Sequence, residues 1–243
     1  MSASDPEAVV CGFADPGGAV AGACWRLGGS DGGVLLAGDA VSGAEAEISD
    51  ADGGLRLKLT AGEASCEASV TPRPAVVALE LPDGEPAGLS AAICAAEVEF
   101  ELGDRKRSVG CEGHLTTWER EPDGEALRHL AIPLGEDGLV VLVAAGSAGG
   151  EGHGEERVTA WRLDPEGGAA PFAEALLSSQ YDGDGRQTRA GLELWPVGDD
   201  ETHPMRAAGT AIGVAGDGGV SAALMRTSSE GRTGVGDYLI RRR

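Results

Sequence analysis

Asp-Gly pairs recur along the whole chain and constrain its fold more than any other feature. They begin at Asp31, Asp52, Asp83, Asp123, Asp137, Asp182, Asp184 and Asp217. An Asp-Gly pair favours the two-residue hairpin turn, because that turn requires positive φ at both of its central positions. The spacing therefore predicts a series of hairpins in which successive strands are antiparallel neighbours.

The segments between these turns have the hydrophobic pattern of β-strands. Leucines alternate with charged residues in LRLKLT (55–60), and apolar residues alternate with glutamates in VEFEL (98–102). This period of two is typical of a strand with one buried face. AVVALEL (75–81) and LVVLVAA (139–145) are more continuously apolar, as strands covered on both faces are. The best helix candidate is PFAEALLSSQ (171–180).

Many short strands with almost no helix predict an all-β protein made of antiparallel barrels or sandwiches. A basic cluster, GDRKRS (103–108), stands at the end of a predicted strand in an otherwise acidic chain. We place a domain boundary there, which gives an N-terminal domain of residues 1–108 and a C-terminal domain of residues 109–243. Each half then holds about enough strands for a small closed barrel.

The chain is strongly acidic, with 40 Asp and Glu against 19 Lys and Arg and a net charge of −21. Such a field repels phosphate backbones and anionic lipids, so we expect neither nucleic acid nor a membrane as a partner. The segment MSASDPEAVVCGF has no basic region followed by a long apolar stretch, and no apolar run approaches the roughly 18 residues of a membrane span. We therefore expect a cytoplasmic protein.

The cysteines are odd in number and none belongs to a CxxC pair: Cys11, Cys24, Cys66, Cys94 and Cys111. This pattern argues against a zinc ribbon and against a disulfide framework. We expect reduced, buried and unreactive thiols. We also expect no metal and no other cofactor.

The segment GSAGGEGHGEERVTAW (146–161) contains a glycine-rich loop with one histidine. It lacks the Lys-Ser/Thr ending of a phosphate-binding loop, and no helix pattern follows it. His153 and Glu155 have no second cluster of metal ligands elsewhere in the sequence. The segment is therefore either an ordinary loop or a pocket rim, where His153 and Glu155 would contact a polar ligand group.

The tryptophans stand on four different predicted strands, at Trp25, Trp118, Trp161 and Trp195. They are either core anchors or the lining of a cavity in a barrel whose other wall residues are small. We hypothesise that the last three face a common apolar region of the C-terminal half. His153 and Glu155 would then lie at the edge of that region.

The remaining histidines are His114, His129 and His203. His114 precedes Trp118 by four residues in GCEGHLTTWERE (110–121), where it is either functional or exposed on an edge strand. His129 and His203 are isolated from other chemistry-bearing residues, and we expect them to be structural.

The order of several segments resembles the hydroxyneurosporene synthase-like (carotenoid 1,2-hydratase-like) family. These segments are ALRHLAIPLGEDGLVVLVAAGSAGGEGHGEERVTAWRL (126–163), LLSSQYDGDGRQTRAGLELW (176–195), MRAAGTAIG (205–213) and GRTGVGDYLIRR (231–242). CGFADPGGAVAGACWRLG (11–28) is similar to the opening strand pair of that family. The resemblance implies two lipocalin-like β-barrels in tandem.

One departure from the family bears on activity. Its members carry a glycine-containing stretch that ends in His-Ser-Trp-Gly, whose histidine is the natural acid–base candidate. Aligned on its glycine and Trp118, this chain has Thr116 in place of that histidine. Thr117 and Glu119 stand in place of the serine and the final glycine of that motif. A threonine hydroxyl does not supply a proton near neutral pH as imidazole does. His114 lies two residues away, on the same strand face, and is the nearest substitute.

Three functions are consistent with the sequence. The preferred one is binding of a small, largely apolar molecule (isoprenoid, lipid or polyketide-like) in a barrel or between barrels. The second is a hydratase, isomerase or cyclase that acts on a polyene, with acid–base candidates His114, Glu119, His153 and Glu155. The third is a β-sandwich interaction module without a ligand. A deep cavity would argue against the third, and a buried acid beside that cavity would favour the second.

Overall fold

Successive strands pair as antiparallel hairpins, as the turn spacing predicts. The computed structural model describes residues 6–27, 30–37, 40–79, 88–120, 126–146, 156–198, 203–217 and 219–242. Within these ranges the chain forms sixteen strands and one short 3-10 helix, and no α-helix. No helix in the described ranges has the length and apolar character needed to cross a membrane.

The first unit of the chain, Met1–Glu121, is a closed barrel of eight strands in sequence order. The strands are β1 (Ala8–Ala14), β2 (Val20–Leu27), β3 (Ser30–Ala37), β4 (Ala40–Ala51), β5 (Gly54–Ala61), β6 (Ala64–Ala78), β7 (Leu89–Leu102) and β8 (Arg105–Trp118). The barrel closes where β8 pairs with β1, from Ala8 opposite Trp118 to Ala14 opposite Glu112.

The second unit, Pro122–Arg243, is also a closed barrel of eight strands. The strands are β9 (Ala126–Pro133), β10 (Leu139–Gly146), β11 (Arg157–Leu163), β12 (Ala169–Tyr181), β13 (Gln187–Pro196), β14 (Met205–Asp217), β15 (Val220–Ser229) and β16 (Arg232–Arg242). The 3-10 helix, Gly135–Asp137, lies between β9 and β10. The first and last strands, β9 and β16, pair and close this barrel.

The structure corrects two sequence predictions. Residues 171–180 belong to strand β12, which pairs with β13, and do not form a helix. Strand β8 pairs along its length with β7 and reaches back to β1, so it lies wholly in the first barrel. The basic residues near position 105 form the β7–β8 hairpin, and the division between the units falls after Glu121 rather than after residue 108.

Several hairpins use the turn chemistry that the sequence indicates. Asp52 and Gly53 join β4 to β5, and Gly53 has a φ of 78°. Glu230 and Gly231 join β15 to β16 with φ values of 49° and 83°. Asp31 behaves differently, because it lies within β3 and forms no turn. An Asp-Gly pair thus predicts a hairpin here only where both flanking segments can pair.

The core of the first barrel contains all five cysteines. Each is buried and forms no disulfide, which confirms the prediction of free, buried thiols. They lie among inward-facing aliphatic residues and two phenylalanines, Phe13 and Phe100. Burial raises the pKa of the Cys66 and Cys94 thiols from 9.0 to about 12. These thiols are therefore neutral and unreactive near pH 7.

The core of the second barrel contains many alanines. Its buried members include an alanine on almost every strand: Ala144, Ala160, Ala175, Ala190, Ala207 and Ala223. Alanine side chains leave space between facing walls that leucine or phenylalanine would fill. The second barrel therefore has room for a lumen.

Candidate functional site

A cavity of about 1130 Å³ lies along strand β12 in the second barrel. Its wall includes residues that point into the barrel, among them Val158, Ala175, Leu177 and Ala207. Residues 173–179, which all belong to the wall, span about 20 Å of extended strand. An elongated molecule with an apolar body is the kind of ligand that fits the inner part of this space, and charged residues such as Glu174, Glu193 and Arg206 line its outer part.

The cavity opens through the barrel wall between β11 and β12. These strands pair only at residues 161–163 with 169–171 among the described residues. The pairing ends at Pro171, which has no N–H to donate, and a register irregularity follows between Phe172 and Glu174. Wall residues from the outer strand faces, such as Leu176 and Arg206, show that the cavity reaches the outside.

A polar network closes one end of the cavity. Arg128 on β9 forms an ion pair with Glu156, with 2.8 Å between Nη2 and Oε1. Arg128 Nη1 also donates a hydrogen bond to the Tyr238 hydroxyl at 3.3 Å. That hydroxyl lies 2.8 Å from Ser179 Oγ. Glu156 and Ser179 are wall residues of the cavity, so the network is continuous with it.

The protonation states in this network suit hydrogen-bond donation. Burial raises the pKa of the Tyr238 hydroxyl, and the positive charge of Arg128 opposes that rise only in part. Burial alone would lower the pKa of the Arg128 guanidinium, but Tyr238, Tyr181 and Glu156 outweigh it and raise that pKa. At neutral pH Arg128 is therefore a cation and Tyr238 is a neutral phenol.

One donor in this network, Arg128 Nε, is buried without a hydrogen-bond partner among the described residues. The Tyr181 hydroxyl interacts with the Tyr238 hydroxyl. Buried polar groups in folded proteins are nearly always paired, because an unpaired group loses its hydration without compensation. Arg128 Nε is therefore enclosed within the polar network, and the groups of this network that face the cavity are Glu156 and Ser179.

A second set of hydrogen bonds holds the strand that carries Tyr238. Gln187 Nε2 donates to the backbone oxygens of Ser221 at 3.0 Å and of Tyr238 at 3.4 Å. Ser221 Oγ donates to Gln187 Oε1 at 2.7 Å. Gln187 is fully buried, so these bonds form in a low-dielectric environment, where they are strong. They fix the backbone from which the Tyr238 side chain reaches the network.

The opposite faces of β9 and β16 carry another buried pair. His129 Nδ1 lies 3.6 Å from Asp237 Oδ1, and the side chains are 0% and 3% exposed. Because successive residues of a strand point to opposite faces, this pair lies behind Arg128 and Tyr238 in the same stretch of sheet. His129, expected to be isolated, therefore has a carboxylate neighbour.

The residues proposed around Trp118 lie in the first unit, on β8. His114, Thr116 and Trp118 share one face of this strand, and all three are buried. That face is opposite to Leu115, which points into the first barrel. Glu119 follows the end of β8 and is exposed. Trp118 is thus not part of the C-terminal half in which the sequence hypothesis placed it.

The other two tryptophans of that hypothesis do not line the cavity. Trp161 on β11 and Trp195 on β13 alternate with the inward-facing Ala160 and Leu194, so both point away from the lumen. Trp161 is buried, whereas Trp195 is partly exposed. The alternation of side chains along each strand decides where these tryptophans point, and their rarity in the sequence did not indicate a place in the cavity wall.

His153 and Glu155 lie outside the described residues, so the hypothesis of a pocket rim at these positions stays a prediction. Among the described residues, no three His, Cys, Asp or Glu side chains are grouped in a way that could hold a metal ion. The described wall of the cavity instead offers Glu156, which immediately follows the predicted rim.

Sequence reasoning missed Arg128, Tyr238 and Tyr181, although two signals were available. In LRHLAIPL, Arg128 has the same strand parity as the inward-facing Leu130 and Ile132. A charged residue at an inward position of an apolar strand indicates a polar site inside a barrel. The second signal is scarcity, because the chain has 2 tyrosines and both lie at this end of the second barrel.

Comparisons with known proteins identify the fold. No protein-family model matches the chain, and no curated protein matches its sequence. A Nitrosomonas europaea protein, provisionally described as AttH, aligns with a TM-score of 0.64 and 10% identity over 97% of this chain and 92% of that chain. Kievitone hydratase from Nectria haematococca aligns with a TM-score of 0.65 and 8% identity over 98% and 89% of the two chains.

A third solved structure, that of CghA, aligns with a TM-score of 0.56 and 12% identity over 98% of this chain and 88% of that chain. CghA has also been solved with Sch210972. All three alignments cover nearly the whole of this chain, so they include both barrels. The resemblance to the hydratase-like family is thereby confirmed at the level of the fold, two lipocalin-like barrels in tandem.

Proposed function

We propose that the second barrel binds a small, largely apolar molecule of the isoprenoid, lipid or polyketide type. The observation that carries the proposal is the cavity of about 1130 Å³ along β12, with alanine and leucine side chains in its wall. Ligand sites are commonly concave, mostly apolar and supplied with a few polar groups that orient the ligand. The Arg128 network provides those groups at one end.

The expected affinity follows from the area that such a ligand buries. Removing about 300 Å² of apolar surface from water contributes about 7 kcal/mol. The loss of translational and rotational freedom on association offsets much of that gain. We therefore expect dissociation constants in the micromolar range or weaker for a ligand that makes apolar contacts alone.

The test compares two tryptophan substitutions of alanines on the same strand. Ala175→Trp places a bulky ring in the wall of the cavity, whereas Ala170→Trp places it at an exposed position outside the wall. Equilibrium dialysis with retinol and farnesol measures binding to the wild type and to both variants. We expect Ala175→Trp to weaken binding at least 10-fold and Ala170→Trp to leave it unchanged. Absence of binding to the wild type, or equal binding to all three proteins, would refute the proposal.

A second candidate function is addition of water to, or isomerisation of, a carbon–carbon double bond. The observation that favours it is an acid beside the cavity: the Glu156 side chain is 15% exposed and belongs to the wall. A carboxylate in the wall can accept a proton from water or from a substrate carbon as a general base. Kievitone hydratase, whose fold is similar, is a hydratase by name.

Mass spectrometry tests this candidate after incubation of polyenes and enones with the protein. The product of hydration is heavier than the substrate by one water, and an isomer, which keeps the mass of the substrate, is recognised by its different retention time in liquid chromatography. We expect Glu156→Gln to abolish product formation and Glu193→Gln to preserve it, because Glu193 lies in the outer part of the wall and pairs with Arg206. Equal loss in both variants, or no product with any substrate that binds, would leave binding alone as the function.

The five free, buried thiols support the cytoplasm, a reducing compartment, as the place of either function.

A further inference from the structure

The polar end of the cavity restricts the chemistry of the ligand, provided that the second barrel binds a ligand as proposed. We infer that this ligand carries a neutral hydroxyl group, which donates a hydrogen bond to the Glu156 carboxylate. The Ser179 hydroxyl is the second polar contact at this end. The substrate class of the cavity is then an alcohol with an elongated apolar body.

The polar network presents its acceptor side to the cavity. Glu156 and Ser179 belong to the wall, whereas Arg128 and Tyr238, which hold them, do not. Arg128 Nη1 donates to the Tyr238 hydroxyl, and Nη2 pairs with Glu156 Oε1. Nε of the same side chain is enclosed. A ligand in the cavity therefore meets the carboxylate and not the guanidinium.

The Glu156 carboxylate requires a hydrogen-bond donor from any molecule that covers it. An ionised carboxylate only accepts hydrogen bonds and has about four lone-pair sites, so the contact of 2.8 Å between Arg128 Nη2 and Oε1 leaves further sites. A ligand that displaces water from this carboxylate must replace the hydrogen bonds of that water, because an unsatisfied charged group is costly. A hydroxyl group supplies a donor, whereas an ether oxygen and a hydrocarbon do not.

Local charge selects a neutral donor over a charged group. Arg128 already neutralises Glu156, and the two side chains are 13% and 15% exposed. A ligand carboxylate would bring a like charge next to Glu156 in a poorly solvated place. A ligand ammonium group would lose its hydration there, while Arg128 offsets its attraction to Glu156. A hydroxyl group donates the hydrogen bond without either cost.

Ser179 gives the polar end a second group that can bind an alcohol. Its Oγ lies 2.8 Å from the Tyr238 hydroxyl, and either atom can be the donor in that bond. A serine hydroxyl has one proton and two lone pairs. If Tyr238 donates, Ser179 keeps its proton for the ligand, and if Tyr238 accepts, Ser179 keeps its lone pairs. An alcohol satisfies either arrangement, because its hydroxyl group also both donates and accepts.

The experiment uses ligands that share one chain and differ in their polar end: farnesol, farnesyl methyl ether, farnesoic acid, farnesylamine and the hydrocarbon farnesene. Equilibrium dialysis at pH 7.5 measures the affinity of each for the wild type, Glu156→Gln and Ser179→Ala. The control is Thr188→Val, which removes a hydroxyl outside the cavity wall that donates to the Gln180 backbone oxygen at 3.1 Å. Circular dichroism and thermal melting verify that each variant is folded. The wild-type ligand series and Ser179→Ala decide the question if Glu156→Gln does not fold.

We expect the wild type to bind farnesol about 10- to 100-fold more tightly than farnesyl methyl ether or farnesene, and more tightly than the acid and the amine. Glu156→Gln should lower the preference for farnesol over its methyl ether to about 3-fold or less. Ser179→Ala should weaken binding of farnesol about 2- to 10-fold, and both variants should keep the wild-type affinity for farnesene within about 2-fold. Thr188→Val should match the wild type with every ligand.

Three results would overturn the assignment of a hydroxyl group and leave the proposed binding function intact. They are equal affinity for farnesol and its methyl ether, tighter binding of the acid or the amine than of farnesol, and unchanged affinity for farnesol in the folded variants. Binding of none of the five ligands would overturn the proposed function itself.

Discussion

The buried thiols of the first barrel should make this protein lose stability in mild alkali. The pKa of Cys66 and of Cys94 is raised by burial from 9.0 to about 12. A group whose pKa is raised by folding binds its proton more tightly in the folded chain. Its contribution to stability is therefore fully present below pH 9 and is lost as the pH rises from 9 towards 12.

The size of the effect follows from the two shifts. Each thiol that is ionised in the unfolded chain and neutral in the folded one lowers the free energy of unfolding by about 1.4 kcal/mol per pH unit. Cys66 and Cys94 together should therefore remove about 2.5 kcal/mol between pH 9.5 and 10.5. That is a large share of the ~5–15 kcal/mol that stabilises a typical domain.

Pulsed alkylation measures this directly, because every cysteine lies in the first barrel. The protein is equilibrated in urea with reductant at pH 8.0, 9.5 and 10.5 and then exposed briefly to iodoacetamide. Peptide mass spectrometry of Cys11 and Cys24 gives the unfolded fraction at each urea concentration. The control variant, Cys66→Ala/Cys94→Ala, retains both reporter cysteines but lacks the two thiols whose titration is tested.

We expect the free energy of unfolding to fall more steeply with pH in the wild type than in the double variant, by about 2.5 kcal/mol from pH 9.5 to 10.5. Other groups that titrate in this range act equally on both proteins and cancel in the difference. Equal pH slopes for the two proteins would refute the reasoning, since they would mean that both thiols ionise normally in the folded barrel.

Three further predictions concern the barrel framework. Gly236→Ala should lower the free energy of unfolding by about 2–4 kcal/mol in urea titrations, because the new Cβ would clash with the backbone oxygen of Ala131. Gly110→Ala, where the new Cβ would have no atom within 4 Å, is the control and should change that free energy by less than about 0.5 kcal/mol. Gly53→Ala should cost about 1–2 kcal/mol, since its φ is 78°, and should speed amide exchange in the β4–β5 hairpin. Asp237→Asn should lower the free energy of unfolding by about 2–4 kcal/mol. Its effect should be less than additive with that of His129→Gln, because the two side chains are buried 3.6 Å apart. Strict additivity would mean that the two side chains do not interact.

Local sequence was enough to predict an all-β chain of antiparallel hairpins, because hairpins are local structures. Alternating patterns such as LRLKLT indicate which residues of a strand share a face, and Asp-Gly pairs such as Asp52-Gly53 indicate where the chain reverses. The free and buried state of the cysteines followed from their spacing in the same way. Each of these inferences needs contacts only between neighbours in sequence, or none at all.

The predictions from local sequence were wrong for features that depend on which strands become neighbours. Residues 171–180 carry apolar residues at spacings compatible with a helix, but pairing with β13 makes them a strand. The basic residues around Lys106 suggested a domain boundary, yet β8 continues past them until it meets β1 and closes the first barrel. Helical propensity and composition do not report barrel closure, which requires contacts across the whole domain.

The candidate site belongs to what only the tertiary structure decided. Arg128 and Tyr238 are 110 residues apart and meet because β9 and β16, the first and last strands of the second barrel, pair to close it. The tryptophans seemed better candidates in the sequence because they are large and rare, but strand parity points Trp161 and Trp195 away from the lumen. The sequence by itself determined antiparallel strands and a core rich in small side chains. Closure determined which polar side chains its cavity contains, because a closed sheet brings together inward positions that no local pattern connects.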